Sequence, residues 1–268
     1  MTALALIAVA LYALASWRLA GDGRLVDAGP RNGRRSVGLL LGALAVLFHL
    51  GLHAKAWHTA GGVDLGFFSA LSLVSLGMAA LSTLFAWTRR FEALGGLVYP
   101  LAALGVAAYA LAGPHPAAAL DWPLQLHALL ALLAYVTLAV AVLLAVMLWA
   151  QDRALRGRRL DSPMLRLLPP LTELESLVFR TIAAGFVLLS FALVTGVLFV
   201  DDLLAQHLVH KTVLSVLSWL VFGFLLYGRA RYGWRGRRAA HLAIGAMALL
   251  LLAFFGSKFV LELILHRA

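Results

Sequence analysis

The stretch that decides the fold is residues 122–150, WPLQLHALLALLAYVTLAVAVLLAVMLWA, which contains no charged side chain. An α-helix rises about 1.5 Å per residue, so about 20 apolar residues cross the hydrocarbon of a bilayer. The rest of the chain has the same character, with 63% hydrophobic and 13% charged residues among 268. Soluble domains contain a smaller apolar share. We therefore predict an all-α integral membrane protein.

Runs of similar length and hydropathy recur along the chain and predict a polytopic helical bundle with eight transmembrane helices. We expect them to form a single integral membrane domain over residues 1–268. Between the fifth and sixth spans, residues 151–175 are leucine-rich but interrupted by Pro169 and Pro170. This pattern predicts a short amphipathic segment along the cytoplasmic interface. The predicted spans are residues 2–18, 36–57, 65–88, 94–112, 122–150, 176–200, 211–228 and 239–265.

The basic residues set the predicted orientation. The loops after spans 1, 3, 5 and 7 hold 17 of the 22 lysines and arginines. Cytoplasmic loops of membrane proteins carry such an excess, which places both termini on the outer, periplasmic side of a bacterial inner membrane. The basic residues that give the chain its net charge of +10 lie mostly in these predicted cytoplasmic loops. We therefore expect the lipid bilayer as a partner and expect no binding of nucleic acid. The absence of cysteine excludes disulfides, iron–sulfur clusters and thiolate-bound zinc.

Histidines within the predicted spans are the first candidates for a functional site. In LFHLGLHAKAWH, residues 47–58, His49 precedes Trp57 by eight residues, about 12 Å of helix, and His53 lies one turn above it. His127 lies five residues inside Trp122 on span 5. An imidazole held in the apolar region needs a partner and indicates a functional site. The alternative is a hydrogen bond between helices.

Span 8 carries a second polar feature, because Lys258, Glu262 and His266 recur at intervals of four residues. One interpretation is a lysine paired with a glutamate near the outer surface. The other is that Glu262 or Lys258 orients His266 for ligation. Two histidines that face each other across an outer-leaflet cavity suit the axial ligation of haem. Zinc or copper at a histidine pair fits the same pattern.

The second half of the chain resembles the cytochrome c assembly superfamily of haem-handling (CcsA/CcmC-like) membrane proteins, over about residues 120–268. With its length and eight spans, it is most similar to the short YpjD/HemX-like branch. The run GWRGRR after SWLVF is the most specific of the matching features. The segments that carry the resemblance are HALLALLAYVTL (127–138), FRTIAAGFVLLSFALVTG (179–196), KTVLSVLSWLVFGFLLYGR (211–229) and GWRGRRAAHLAIGAMALLLLAFFG (233–256).

The resemblance implies particular site residues. The larger CcsA-type members present haem with a tryptophan-rich WWD loop and two flanking histidines, and these histidines correspond to His127 and His266. The spacing of His266 from the FFG run differs by one residue from the family pattern. The further membrane histidine of the family falls near Tyr227 and is missing. The WWD loop is also missing, because residues 208–211 read LVHK and keep only its lysine, Lys211.

These features favour a non-enzymatic membrane protein that binds or passes haem at the outer leaflet, without the WWD loop. Proteins of haem or cytochrome assembly pathways are the expected partners. Two alternatives remain open, an accessory protein that regulates or stabilises a partner and a transporter for a small solute. The expected axial and metal ligands are His127 and His266, with His49 as an alternative ligand and His53, His210, Lys211, Lys258 and Glu262 as further site residues.

Overall fold

A computed structural model describes residues 2–21, 31–62, 64–89, 91–113, 120–157, 168–199 and 206–265. Across these residues all regular structure is helical. Eight helices are long and apolar enough to cross a membrane within the described part of the chain. The helices are α1 (Thr2–Gly21), α2 (Arg31–Ala60), α3 (Phe67–Arg89), α4 (Glu92–Ala112), α5 (Trp122–Arg156), α6 (Leu171–Phe199), α7 (Gln206–Tyr232) and α8 (Arg237–Leu251).

The predicted all-α membrane fold is confirmed, because each predicted span coincides with one of these helices. Several helices are longer than their predicted spans. For example, α2 begins at Arg31 and not at residue 36, and α7 continues to Tyr232. The extra turns carry arginine or other polar residues that hydropathy assigns to loops. Arginine has good intrinsic helix propensity, so these turns continue the helix outside the apolar run.

The prediction for residues 151–175 is wrong at both ends of that segment. Residues 151–156 continue α5, and residues 171–175 form the first turn of α6. Pro170 stands directly before this first turn, a position that proline tolerates because its missing N–H would have no helical partner. Between them, residues 158–167 lie outside the described part of the chain, so the amphipathic segment stays a prediction there.

The first of two compact units comprises residues 1–119 and 153–170 and contains α1–α4. In it, α1 packs against α2 and α4, and α3 packs against α4 and α2. Small residues permit close approach of the helices, as is usual in membranes. Gly42 of α2 faces the Tyr99 hydroxyl, and a Cβ at Gly42 would lie 2.3 Å from that oxygen. The core of this unit therefore combines large aromatic rings with glycine.

The second unit comprises residues 120–152 and 171–268 and contains most of α5 together with α6, α7 and α8. Leu138 of α5 packs on Gly185 of α6, and Ser218 of α7 donates a 2.7 Å hydrogen bond to the Ala246 carbonyl of α8. Beyond Leu251 the last helix widens into two π-helical stretches, Leu252–Gly256 and Phe259–Ile264. The Tyr135 hydroxyl donates to the Leu250 carbonyl just before the first of them.

The end of this unit that the arginines predict to be cytoplasmic contains a buried carboxylate. Glu175 of α6 is 5% exposed and lies 2.5 Å from the Arg229 guanidinium of α7, which also stacks over the Phe179 ring. Trp234, in the turn between α7 and α8, packs against Gly228, where no Cβ would fit. The specific run GWRGRR is therefore a tight turn that packs back onto α7.

Candidate functional site

His127 lies near the start of α5 and is fixed against α6. Its Nδ1 lies 3.0 Å from the carbonyl oxygen of Ala192 and 3.3 Å from Oγ1 of Thr195. A carbonyl oxygen only accepts hydrogen bonds, so Nδ1 carries the ring proton and Nε2 keeps its lone pair. Neutral imidazole with a free nitrogen lone pair is the form that binds a metal ion. The contact with α6 therefore sets the tautomer that ligation requires.

Gly196 allows this placement of the imidazole. A Cβ added at Gly196 would lie 3.1 Å from Cε1 of His127, closer than ordinary van der Waals contact. At the same end of the two helices, the rings of Trp122 and Phe199 meet with centroids 5.9 Å apart. The imidazole is thus held by a carbonyl and a glycine surface.

The charged residues of span 8 form an ion pair with a second lysine close by. Lys258 Nζ lies 2.7 Å from Glu262 Oε1, and both side chains are largely buried. Lys211 of α7 is within electrostatic range of both groups. Two cations and one carboxylate of this unit therefore lie within electrostatic range of one another. The lysine–glutamate pair of the first interpretation is present, and orientation of His266 by this pair stays a prediction.

Of the two remaining predicted histidines, His210 and His266, only His210 lies in the described part of the chain. His210 is exposed near the start of α7. His266 lies outside the described residues, so its role as second ligand stays a prediction. Within the part of the chain that the structure describes, no three histidine or carboxylate side chains lie close enough together to hold a metal ion.

His49 and His53 belong to the first unit, where both are engaged by other side chains. His49 is fully buried, with Nε2 2.9 Å from Oγ of Ser72 and Nδ1 3.3 Å from the hydroxyl of Tyr12. His53 Nε2 lies 3.0 Å from the same Ser72 oxygen, and its ring stacks on Tyr109. Iron ligation by His49 would need one of its two hydrogen bonds to break. The helix-to-helix hydrogen bond that the sequence left open as an alternative is present.

Sequence reasoning missed the partners of these histidines. The Tyr12 and Tyr99 rings are in contact, with centroids 5.7 Å apart, and the Tyr99 hydroxyl lies 2.9 Å from Oγ1 of Thr83. A signal was present on α3, where serine recurs every three residues at positions 69, 72 and 75. Such spacing places the hydroxyls along one side of a helix. All three serines are buried.

The family model described as cytochrome C assembly protein matches residues 37–265 of this chain. The chain belongs to the cytochrome c assembly protein family. The match includes α2, α3 and α4, so it extends well before residue 120, where the resemblance seen in the sequence begins. No solved structure matches the chain significantly.

Individual relatives agree with this family. The inner membrane protein YpjD of Escherichia coli (strain K12) is 31% identical over 268 residues, which cover 98% of this chain and 100% of the relative. Protein HemX of Brevibacillus brevis is 30% identical over 132 residues, 48% of either chain. A cytochrome c biogenesis protein CcsA of Prochlorococcus marinus is 32% identical over 90 residues, 33% of this chain and 28% of the relative.

The family and the helices confirm two further predictions. The short YpjD/HemX-like branch is supported by the full-length similarity to YpjD and the partial similarity to HemX. The chain is a multi-pass inner membrane protein, as the charge distribution predicted, with eight membrane-spanning helices in its described residues.

Proposed function

We propose that this family member is a non-enzymatic membrane protein that binds or passes haem at the outer leaflet, with His127 as an axial ligand. The single observation that carries the proposal is the hydrogen bond from Nδ1 of His127 to the Ala192 carbonyl. Partners that orient an imidazole in this way are typical of ligating histidines. His266 is the proposed second ligand, because the family resemblance assigns it.

The residues of the second unit fit the chemistry of haem. Haem is a largely apolar plane with two carboxylate groups, and an apolar helical surface with a few cations suits it. Lys258 pairs with Glu262, and Lys211 lies within electrostatic range of both. We propose that these lysines receive the haem carboxylates. Bound haem would supply an iron centre that takes one lone pair from each axial histidine.

The names of the relatives support this class of function. The similar CcsA protein is a cytochrome c biogenesis protein by name. We therefore propose proteins of cytochrome assembly or haem pathways as the partners of this chain. Because residues 208–211 lack the tryptophan-rich loop, the proposed role is holding or passing haem, without its attachment to a cytochrome.

The test is the absorption spectrum of the purified full-length chain after haem is supplied. We expect the bands of a bis-histidine haem in the wild type and their loss in His127→Ala. His241→Ala is the matched control, since His241 is exposed and hydrogen-bonded within its own helix, at the Arg237 carbonyl. The control should keep the wild-type spectrum.

Two outcomes would contradict the proposal. One is that the wild-type chain shows no haem bands. The other is that His127→Ala and His241→Ala retain equal amounts of haem. The circular dichroism of both variants should match that of the wild type, so that lost binding is not mistaken for unfolding.

A further inference from the structure

The last helix changes its hydrogen-bonding pattern where a tyrosine from another helix reaches its backbone. The hydroxyl of Tyr135, on α5, donates to the carbonyl oxygen of Leu250, on α8. In an α-helix that carbonyl accepts from the N–H four residues further on, which here belongs to Phe254. The first π-helical stretch begins two residues after Leu250, at Leu252. A side chain that inserts into the backbone hydrogen bonds of a helix is a known cause of such a distortion.

Neighbouring aromatic rings hold the hydroxyl of Tyr135 at this carbonyl. Tyr135 is buried, and its ring meets the rings of Phe254 and Phe255 edge-on, with centroids 6.1 and 6.0 Å apart. The two phenylalanine rings also contact each other, at 5.2 Å. The tyrosine ring is therefore packed in place, and its hydroxyl competes with the Phe254 N–H for one carbonyl oxygen. This competition favours the wider π-turn that follows.

A second hydroxyl in the segment has a different effect. Ser257 donates to the carbonyl oxygens of Phe254 and Ala253, at 2.9 and 3.1 Å. A serine also makes such bonds to its own helix when that helix is α-helical. Ser257 moves with the segment, whereas Tyr135 is attached to α5 and contacts the segment from outside. Of these two hydroxyls, only that of Tyr135 can set the register of the segment, meaning the rotation of its residues about the helix axis.

The register decides where two charged residues of this segment lie. Lys258 pairs with Glu262, and Lys211 of α7 is within electrostatic range of both. Without the π-turn, each later residue would turn by about 100°, into the place that its successor now holds. Lys258 would then take the place of Phe259, and this place is exposed. Glu262 would take the place of Leu263, which is exposed as well.

We propose that Tyr135 is a positioning residue, whose hydroxyl keeps the end of α8 in its π-helical register and thereby keeps Lys258 and Glu262 within reach of Lys211. This inference rests on the proposed function, because these are the charged groups proposed to meet the haem carboxylates. Tyr135 itself acts through them and not on haem. The register can be measured with no haem present, so the two proposals are tested separately.

Exposure to lipid along the segment reports its register. The chain contains no cysteine, so one introduced cysteine can carry a nitroxide spin label in the full-length chain in lipid bilayers. Electron paramagnetic resonance then measures how accessible the label is to oxygen dissolved in the bilayer. Phe259 and Val260 are exposed, whereas Leu261 is half-buried. We expect a label at Val260 to be as accessible as one at Phe259. In Tyr135→Phe, the label at Val260 should become as protected as one at Leu261 in the wild type.

Thr137→Val is the matched control for the lost hydroxyl. Thr137 lies on α5, two residues from Tyr135, and donates to the Leu133 carbonyl of its own helix. This variant and Ser257→Ala should both keep the wild-type accessibility at Val260. If Tyr135→Phe fails to fold, as judged by circular dichroism, Tyr135→Met removes the same hydroxyl and gives the test again. A residue that only stabilised the bundle would lower the unfolding midpoint and leave Val260 accessible.

Haem binding by the unlabelled chain gives the second readout. We expect the Kd for haem to rise about tenfold in Tyr135→Phe, the smaller end of the loss when a group that orients ligands is removed. Thr137→Val should bind haem as the wild type does. The proposal is overturned if Val260 stays accessible in Tyr135→Phe, or if its accessibility falls while haem binding is unchanged. A wild-type chain that binds no haem contradicts the proposed function, and the accessibility at Val260 then still decides whether Tyr135 sets the register.

Discussion

At the scale of single residues, the first unit depends on a glycine that makes room for a tyrosine. A Cβ at Gly42 would lie 2.3 Å from the Tyr99 hydroxyl oxygen, and Tyr99 is fully buried. We expect Gly42→Ala to lower the free energy of unfolding by about 1–3 kcal/mol, the usual cost of overpacking. A denaturant titration in detergent, followed by circular dichroism, measures this change.

Gly51→Ala on the same helix is the control for this substitution. A Cβ at Gly51 meets nothing within 4 Å. Alanine there should stabilise the helix by up to about 1 kcal/mol, because glycine has the poorer helix propensity. Equal destabilisation by the two alanines would show that the close contact with Tyr99 does not matter.

Residue chemistry was only partly predictable from the sequence. The depth of His49 and His127 followed from the hydropathy runs and the tryptophans that end them. The position of the Ser72 hydroxyl between His49 and His53 could not be predicted, because Ser72 lies on a different helix. Residue spacing along one helix does not say which faces of two helices contact each other. The tautomer of His127 likewise depends on a backbone carbonyl of α6, and a carbonyl has no signature in the sequence.

At the scale of helices, the ion pair between α6 and α7 should stabilise the second unit. Glu175 is buried, whereas the side chain of Arg229 is 35% exposed, so solvent screens part of the attraction. We expect Glu175→Gln to cost about 1–3 kcal/mol of unfolding free energy, the range for lost hydrogen bonds to charged groups. Thermal unfolding in detergent should show the corresponding fall in midpoint.

Glu173→Gln is the matched control, since Glu173 is exposed in the first turn of α6. Surface substitutions of this kind usually change stability by less than about 0.5 kcal/mol. If Glu175→Gln proved as mild as the control, the Arg229 ion pair would contribute nothing to the packing of these helices.

The sequence predicted which segments form helices, but it did not predict which helices pack against each other. Each predicted span became a helix because apolar length alone determines what can cross a bilayer. The ends near residues 151–156 and 171–175 were misassigned, since charge and proline were given more weight than continuation of the helix. Glu175 illustrates the reason, because its charge looks interfacial in sequence and is neutralised by arginines from another segment.

At the scale of the whole molecule, the distribution of arginine predicts which ends of the helices face the cytoplasm. The chain contains no cysteine, so a single introduced thiol reports on one position. We expect a membrane-impermeant maleimide to label His58→Cys, at the outer end of α2, in cells with a permeabilised outer membrane. Gly157→Cys, which follows α5, should be labelled only after the inner membrane is opened.

The reverse labelling pattern would contradict the predicted orientation and would place His127 at the cytoplasmic side. Labelling of both positions in closed cells would contradict it too. Because α2 and α5 end on opposite sides in the predicted topology, each position serves as the control for the other.

The π-helical stretches at the end of α8 affect how many residues this segment can hold. A π-turn closes between residues i and i+5, so it encloses one residue more than an α-turn. The Leu265 N–H, for example, donates to the Val260 carbonyl at 2.9 Å. A helix can thus absorb a one-residue insertion without shifting the residues packed before it. The resemblance in the sequence implies a one-residue difference in spacing between FFG and His266, and a π-turn is a geometry that accommodates one additional residue in this segment.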